Sequence, residues 1–132
     1  MNNDLILVDS NILIWHLRGM DRISIEVNRL IDKNSLYISP IIIAEILAGA
    51  KKKETEIINN LFSLMNIIDI NKEVGKIAGE YLAAFSKSHG LEIADALIAA
   101  SVTFGKMKLW SLNKKHYPML DKKDFYDFDL IT

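Results

Sequence analysis

The chain has 132 residues, of which half are hydrophobic, and its formal net charge is −1. This length suits one domain with a hydrophobic core and is short for two, while the near-neutral charge excludes a uniformly basic nucleic-acid binder. Because the sequence contains no cysteine, it offers neither disulfides nor thiolate metal ligands, which favours a reducing compartment such as the cytoplasm.

The predicted elements alternate between strands and helices along the chain. Residues 5–8 are apolar on both faces, a pattern typical of a parallel strand that is covered by helices on both sides. In chain order, the sequence predicts a strand at 5–8, helices at 11–18 and 22–33, a strand at 36–39, helices at 40–50 and 54–64, a strand at 66–70, helices at 71–90 and 92–105, and strands at 108–112 and 125–131. A loop or a short helix is expected at 114–120.

Two helix starts have strong local signals. Ser39 followed by Pro40 combines an N-cap hydroxyl with proline at the first helical position, and Asn71 is a second predicted cap. The N-terminal segment lacks a basic signal-peptide region, and acidic residues interrupt the apolar stretches, so no membrane span is predicted. The sequence predicts a single α/β domain over residues 1–132, with a mostly parallel central sheet flanked by helices on both sides.

Three carboxylates occupy unusual positions in this pattern. Asp9 follows the first strand, and ligands of open parallel sheets bind beyond the carboxyl ends of the strands. By helical spacing, Glu45 shares a face with Ile41 and Ile42 and is predicted to point inward. Asp95 is expected in mid-helix on an apolar stripe, and neither helical acid has a Lys or Arg within one turn. Together the three acids favour a metal site, and hard oxygen ligands suit Mg²⁺ or Mn²⁺ rather than Zn²⁺.

Structural roles are the alternatives for two of these acids. Asp9 could simply cap the helix that follows it. Glu45 could instead form a salt bridge with a distant arginine. The arginines considered for that salt bridge are Arg18, Arg22 and Arg29. Asp95 would need a specific partner to fill a structural role, because an apolar helix face offers it no solvent.

Other chemistry-bearing residues give weaker signals. The histidines lack the mutual spacing of a metal-ligand pair; they are His16, His89 and His116. The lysines at 51–53 are typical of a solvated helix start, with an RNA contact as the alternative.

Four segments together resemble the PIN-domain ribonucleases, particularly the VapC toxins of bacterial and archaeal toxin–antitoxin pairs. These segments are LVDSNILI, IIIAEILAG, ADALIAASV and LWSLNKKHY, and their order and spacing extend the resemblance over essentially the whole sequence. By position, Asp9, Glu45 and Asp95 match the three common acids of that family. The fourth acidic position falls on Asn113, and Ser111 stands where threonine is more usual. Because an amide supplies no charge, the resemblance leaves open whether one metal or two are bound.

The resemblance implies an endoribonuclease that depends on Mg²⁺ or Mn²⁺. Asp9 and Asp95 would hold the metal, which neutralises a scissile phosphate and activates water, and Glu45 would orient or deprotonate that water. Asn113 would complete the catalytic set. Ser10 and Asn11 are supporting residues that could cap the first helix or position water, with capping preferred for Ser10.

The resemblance also implies partners. RNA is the expected substrate, and the VapC-like toxins form homodimers that a VapB-like antitoxin holds inactive. The early helices are rich in Ile and Leu and include Trp15, so they could form an apolar groove for a partner helix.

Other functional classes fit less well. A phosphoryl-aspartate phosphatase needs a second Asp two residues after the first, where this chain has Asn11. A receiver-type signalling domain needs paired acids before its first helix and a lysine after a late strand. A non-catalytic or solitary PIN-fold protein that binds or processes RNA without an antitoxin is the remaining alternative, because Asn113 is uncharged.

Overall fold

Within the residues that the structure describes, a parallel four-stranded sheet runs through the centre of the fold, and its strands lie side by side in the order third, second, first and fourth along the chain. The computed structural model describes residues 4–130. The strands are β1 (Ile6–Val8), β2 (Leu36–Ile38), β3 (Asn66–Ile67) and β4 (Lys108–Trp110). All pairings are parallel, and Leu7 at the centre lies beside Tyr37 on one side and Leu109 on the other. The predicted α/β class and parallel sheet are confirmed.

Six α-helices connect and cover these strands within residues 4–130. They are α1 (Ser10–Leu17), α2 (Asp21–Asp32), α3 (Pro40–Gly49), α4 (Thr55–Ser63), α5 (Lys72–His89) and α6 (Ile93–Gly105). The predicted cap signals are confirmed: the Ser39 hydroxyl accepts a hydrogen bond from the Ile41 N–H at 3.3 Å, and Asn71 Oδ1 accepts one from the Val74 N–H at 2.9 Å. Gly90, with φ of 63°, ends α5 in the left-handed conformation that glycine tolerates.

The core lies against both faces of the sheet. Successive side chains of a strand point to opposite faces, and Ile6, Leu7 and Val8 of β1 are all buried, so both faces are covered. A second, smaller apolar cluster joins α5 to α6 through small side chains such as Ala78 and Ala96. This burial fixes α1 and α6 beside the central strands, which positions their first turns at one edge of the sheet.

The last predicted strand is wrong within the described residues. Instead of a strand over 125–131, Phe125 forms an isolated parallel bridge with Leu109, and residue 131 lies outside the described range. The rings of Tyr126 and Phe128 pack on Trp110, with ring centroids 5.5 and 5.1 Å away. Side-chain packing therefore holds this segment in place of a continued backbone ladder.

Short 3₁₀ turns complete the connections. They are Lys52–Glu54, Lys114–His116 and Lys122–Asp124. The turn at Lys114–His116 confirms the loop or short helix expected at 114–120. None of the helices within residues 4–130 is both long enough and apolar enough to cross a bilayer.

Candidate active site

Side chains from four elements converge on a cleft of about 280 Å³ at the carboxyl ends of the strands. The acids that line this acidic cleft are Asp9, Glu45, Glu92 and Asp95, and Asn113 also lines it. No Lys or Arg is among the lining residues. The three acids singled out in the sequence are therefore brought together, although they are separated by up to 86 positions in the chain.

Asp9 is the most constrained of these side chains. It is 5% exposed, follows β1 directly, and caps α1 by accepting a hydrogen bond at Oδ1 from the Ser10 N–H at 2.8 Å. Its other oxygen, Oδ2, accepts from the Ser111 hydroxyl at 2.7 Å and from the Tyr117 hydroxyl at 2.8 Å. Asp9 therefore caps α1, as its structural alternative predicts, and it also lines the acidic cleft. Ser10 does not cap the helix as preferred from the sequence, because it is already the first helical residue.

Asn11 fastens α1 to the segment that follows β4. Its Oδ1 accepts a hydrogen bond from the Leu112 N–H at 3.2 Å, and its Nδ2 donates to the Ser111 hydroxyl at 3.4 Å. The Asn113 N–H also donates to the Ser111 hydroxyl, at 3.0 Å. These contacts hold the segment at 111–113 against the first turn of α1, which brings Asn113 to the cleft.

Glu45 does not point into the core as predicted. Its side chain is exposed and faces the acidic cleft, while Ile42 and Ile46 on the same helix are buried. The helix is apolar almost all round, so the sequence pattern did not reveal which face is turned inward. Burial that is only partial still raises the pKa of the Glu45 carboxyl, and the neighbouring carboxylates of Asp9 and Asp95 raise it further.

Asp95 lies in the first turn of α6, not in mid-helix as predicted. The helix begins at Ile93, so Asp95 is its third residue and is half-buried at the cleft. Burial raises the pKa of Asp95, and the charges of Asp9 and Glu92 add to this effect. The electrostatic influence of His116 and a hydrogen bond donated by the Glu92 backbone lower the pKa of Asp95 and oppose this effect. The cleft therefore holds carboxylates that repel one another.

The arginine alternative for Glu45 is wrong. Among residues 4–130, no ion pair within 4 Å involves Glu45. Arg29 binds Glu26 at 2.7 Å, Arg18 lies over the ring of Trp15, and Arg22 donates to the Asp129 carbonyl. The negative charge of the cleft is thus not neutralised by these arginines.

Two cleft residues were missed from the sequence. Tyr117 is buried, and burial together with the charge of Asp9 raises its pKa, so its hydroxyl stays protonated and donates to Asp9. Glu92 precedes α6 and adds a fourth carboxylate. His116, rated as a weak candidate, lines the cleft, whereas His16 lies against Ser24 and is not among the lining residues.

The donor chemistry of the cleft fits a divalent cation. Carboxylate oxygens are the ligands that Mg²⁺ and Mn²⁺ prefer, and a cation would relieve the repulsion that raises the pKa values of Glu45 and Asp95. As the side chains lie, residues 4–130 contain no group of three Asp, Glu or His side chains close enough to hold an ion. Carboxylate repulsion opposes a closer approach, so binding would draw the exposed Glu45 and the half-buried Asp95 toward the fixed Asp9.

The architecture defines an α/β domain with an acidic cleft at the carboxyl ends of its parallel strands, which is where open parallel sheets bind their ligands. The family model of the PIN domain matches residues 6–119, and the chain belongs to the PIN-domain family.

Similar proteins extend this assignment. The chain is 29% identical over 119 residues to Ribonuclease VapC10 of Mycobacterium tuberculosis, covering 89% of this chain and 90% of the relative. It is 32% identical to Ribonuclease VapC2 of Methanocaldococcus jannaschii, covering 81% of this chain and 83% of the relative. Its fold is similar to the crystal structure of VapBC2 from Rickettsia felis bound to a DNA fragment from their promoter. That similarity has a TM-score of 0.75 and 26% identity, and covers 95% of this chain and 99% of that chain.

Proposed function

We propose that this protein is an endoribonuclease dependent on Mg²⁺ or Mn²⁺, and the toxin of a toxin–antitoxin pair that acts in the cytoplasm. The observation that carries this proposal is the convergence of Asp9, Glu45 and Asp95 on one cleft that no Lys or Arg lines. The relatives named as VapC ribonucleases, which this chain covers over more than four fifths of their length, support the same activity.

In the proposed mechanism, Asp9 and Asp95 would hold the cation. Asp9 is held by its three hydrogen-bond donors, and Asp95 would reach the cation from the first turn of α6. When bound, the cation neutralises phosphate charge and makes water easier to deprotonate. Without this neutralisation, the carboxylates would repel the RNA backbone.

Glu45 is the residue suited to take the proton of the attacking water. It is the most exposed of the three acids and reaches the cleft from α3, whereas Asp95 reaches it from α6. Partial burial is the largest cause of the raised pKa of Glu45, and it makes this carboxylate a stronger base than an ordinary one, which favours proton transfer from water. Asn113 would contribute an uncharged oxygen or N–H to the rim of the site. Ser111 accepts a hydrogen bond from its backbone N–H, and Asn11 accepts one from the preceding Leu112 N–H.

The cleavage activity can be tested with purified protein and an end-labelled, unstructured RNA of mixed sequence. We expect internal cuts in Mg²⁺ or Mn²⁺, no cleavage in EDTA, and no cleavage by the Asp9→Asn variant. Glu80→Gln is the matched control, because Glu80 is an exposed acid on α5 that does not line the cleft. If the wild-type protein binds RNA but leaves it intact in both metals, the non-catalytic PIN-fold alternative replaces this proposal.

We further propose a homodimer and an antitoxin partner. A groove of about 360 Å³ lies between α1, α3 and α4, with apolar residues such as Leu17 and Ile58 and with Arg18 and Lys51 among its lining. It shares Ile14 and Glu45 with the acidic cleft. A partner helix in this groove would therefore end at the acids, where a basic side chain could neutralise them. The similarity to VapBC2 supports such a partner.

A further inference from the structure

Tyr117 is tied to the acidic cleft by a contact that spans 108 positions of the chain. Its ring is 2% exposed and packs edge-on against Phe125, with centroids 6.4 Å apart. Its hydroxyl makes one hydrogen bond within residues 4–130, the donation to Asp9 Oδ2. A phenylalanine ring would fill the same space, so the hydroxyl matters for what it does to Asp9.

The three hydrogen-bond donors around Asp9 are distributed unequally between its two carboxylate oxygens. An ionised carboxylate has about two acceptor positions on each oxygen. Oδ2 accepts from both Ser111 and Tyr117, so both of its positions are filled. Within residues 4–130, Oδ1 accepts only from the Ser10 N–H, which leaves one of its acceptor positions open.

We propose that Tyr117 is a positioning residue for the metal site. Together with Ser111, it fills both acceptor positions of Asp9 Oδ2 and leaves Oδ1 as the single oxygen that coordinates the cation. This inference rests on the proposed function and deepens it. Without the Tyr117 hydroxyl, the carboxylate can rotate or present either oxygen, so that the cation meets a site that is no longer fixed in one orientation.

The inference is tested by titrating Mn²⁺ alone into the full chain and measuring the heat of binding. Hydrogen-bond partners of metal ligands typically change metal affinity by about tenfold or more, so we expect Tyr117→Phe to bind Mn²⁺ at least about tenfold more weakly. Tyr81→Phe is the matched control, because it removes a tyrosine hydroxyl that bonds to Thr103 outside the acidic cleft. RNA cleavage by Tyr117→Phe should need more Mn²⁺ for half-maximal rate and recover most of its maximal rate at saturating Mn²⁺.

The possible outcomes separate this inference from the proposed function. Mn²⁺ affinity of Tyr117→Phe equal to that of Tyr81→Phe would overturn the inference while wild-type cleavage keeps the proposed function intact. If wild-type protein binds no Mn²⁺, both fail. If circular dichroism shows that Tyr117→Phe is unfolded, Ser111→Ala replaces it as the test variant, because it removes the other donor to Oδ2. Weakened Mn²⁺ binding by Ser111→Ala supports coordination through Oδ1 alone, and unchanged binding contradicts it.

Discussion

Replacing Asp9 by alanine should destabilise the protein for reasons that the hydrogen bonds around it specify. The Ser10 N–H loses its capping acceptor, and the Ser111 and Tyr117 hydroxyls lose the carboxylate oxygen that they share. Tyr117 is buried and has no other partner within the described residues, so its hydroxyl is left unsatisfied. Asp9 carries a charge that repels Glu45 and Asp95, and removing it offsets part of the loss.

The size of the effect follows from these contacts. Loss of an N-cap costs about 1 kcal/mol, and a buried hydroxyl without a partner costs about 1–3 kcal/mol. After allowance for relieved repulsion, we expect Asp9→Ala to lower the free energy of unfolding by about 2–3 kcal/mol. For a chain of this length, that corresponds to a fall in Tm of roughly 10 °C.

A sharper test adds the substitution Tyr117→Phe to the wild-type protein and to the Asp9→Ala variant. In the wild-type background it removes a donor from a charged acceptor and should destabilise the protein. In the Asp9→Ala background it removes an unsatisfied buried hydroxyl and should stabilise the protein, because deleting both partners costs less than deleting one. Urea unfolding of the four proteins in EDTA measures the cycle. The same sign for Tyr117→Phe in both backgrounds would refute the reasoning.

The remaining predictions concern charge, metal and partners. Folding raises the pKa of Glu45, so this carboxyl lowers the stability of the protein as the pH rises above 4.5, the ordinary pKa of a glutamate. In EDTA, urea unfolding should therefore show Glu45→Gln to be as stable as wild type at lower pH and more stable toward neutrality. Mg²⁺ or Mn²⁺ should raise the Tm with increasing concentration, because a ligand of the folded state stabilises it. Light scattering should report a homodimer, and co-expression with a small neighbouring gene should yield a complex that does not cleave RNA.

Each of these has a distinct contrary result. If the stability difference between Glu45→Gln and wild type does not change with pH, the pKa of Glu45 is not raised on folding. A Tm that is insensitive to metal would show that the cleft alone does not bind it. A monomer that is harmless when expressed, with no small gene beside its own, would leave a solitary PIN nuclease.

Local sequence signals were sufficient for most of the framework. The uninterrupted apolar run before Asp9 identified the central strand, and Ser39, Pro40 and Asn71 marked helix starts because caps depend on neighbouring residues alone. The segment at 125–130 was predicted wrongly because its structure depends on contacts with residues distant in the sequence. It alternates aromatic and acidic residues as a strand does, yet its rings pack on Trp110 and its backbone makes only an isolated bridge.

The site was predictable in its members more than in its geometry. Strand-end position pointed to Asp9, but the orientation of Glu45 depends on how α3 is rotated against its neighbours, and an almost wholly apolar helix gives no such information. Tyr117 was missed because its contact with Asp9 joins opposite ends of the chain through a 3₁₀ turn that has no periodic pattern.

The most direct test of the acidic cleft is a paired measurement of Mn²⁺ affinity and single-turnover RNA cleavage on Asp95→Asn and Glu45→Gln, with Glu80→Gln as the exposed control. General-base groups typically contribute about 10²–10⁴-fold to rate, so Glu45→Gln should lose at least about a hundredfold in cleavage at saturating Mn²⁺. Asp95→Asn should lose cleavage and also bind Mn²⁺ more weakly. If either variant cleaves RNA as fast as Glu80→Gln at the same Mn²⁺ concentration, the cleft formed by Asp9, Glu45 and Asp95 is not the active site.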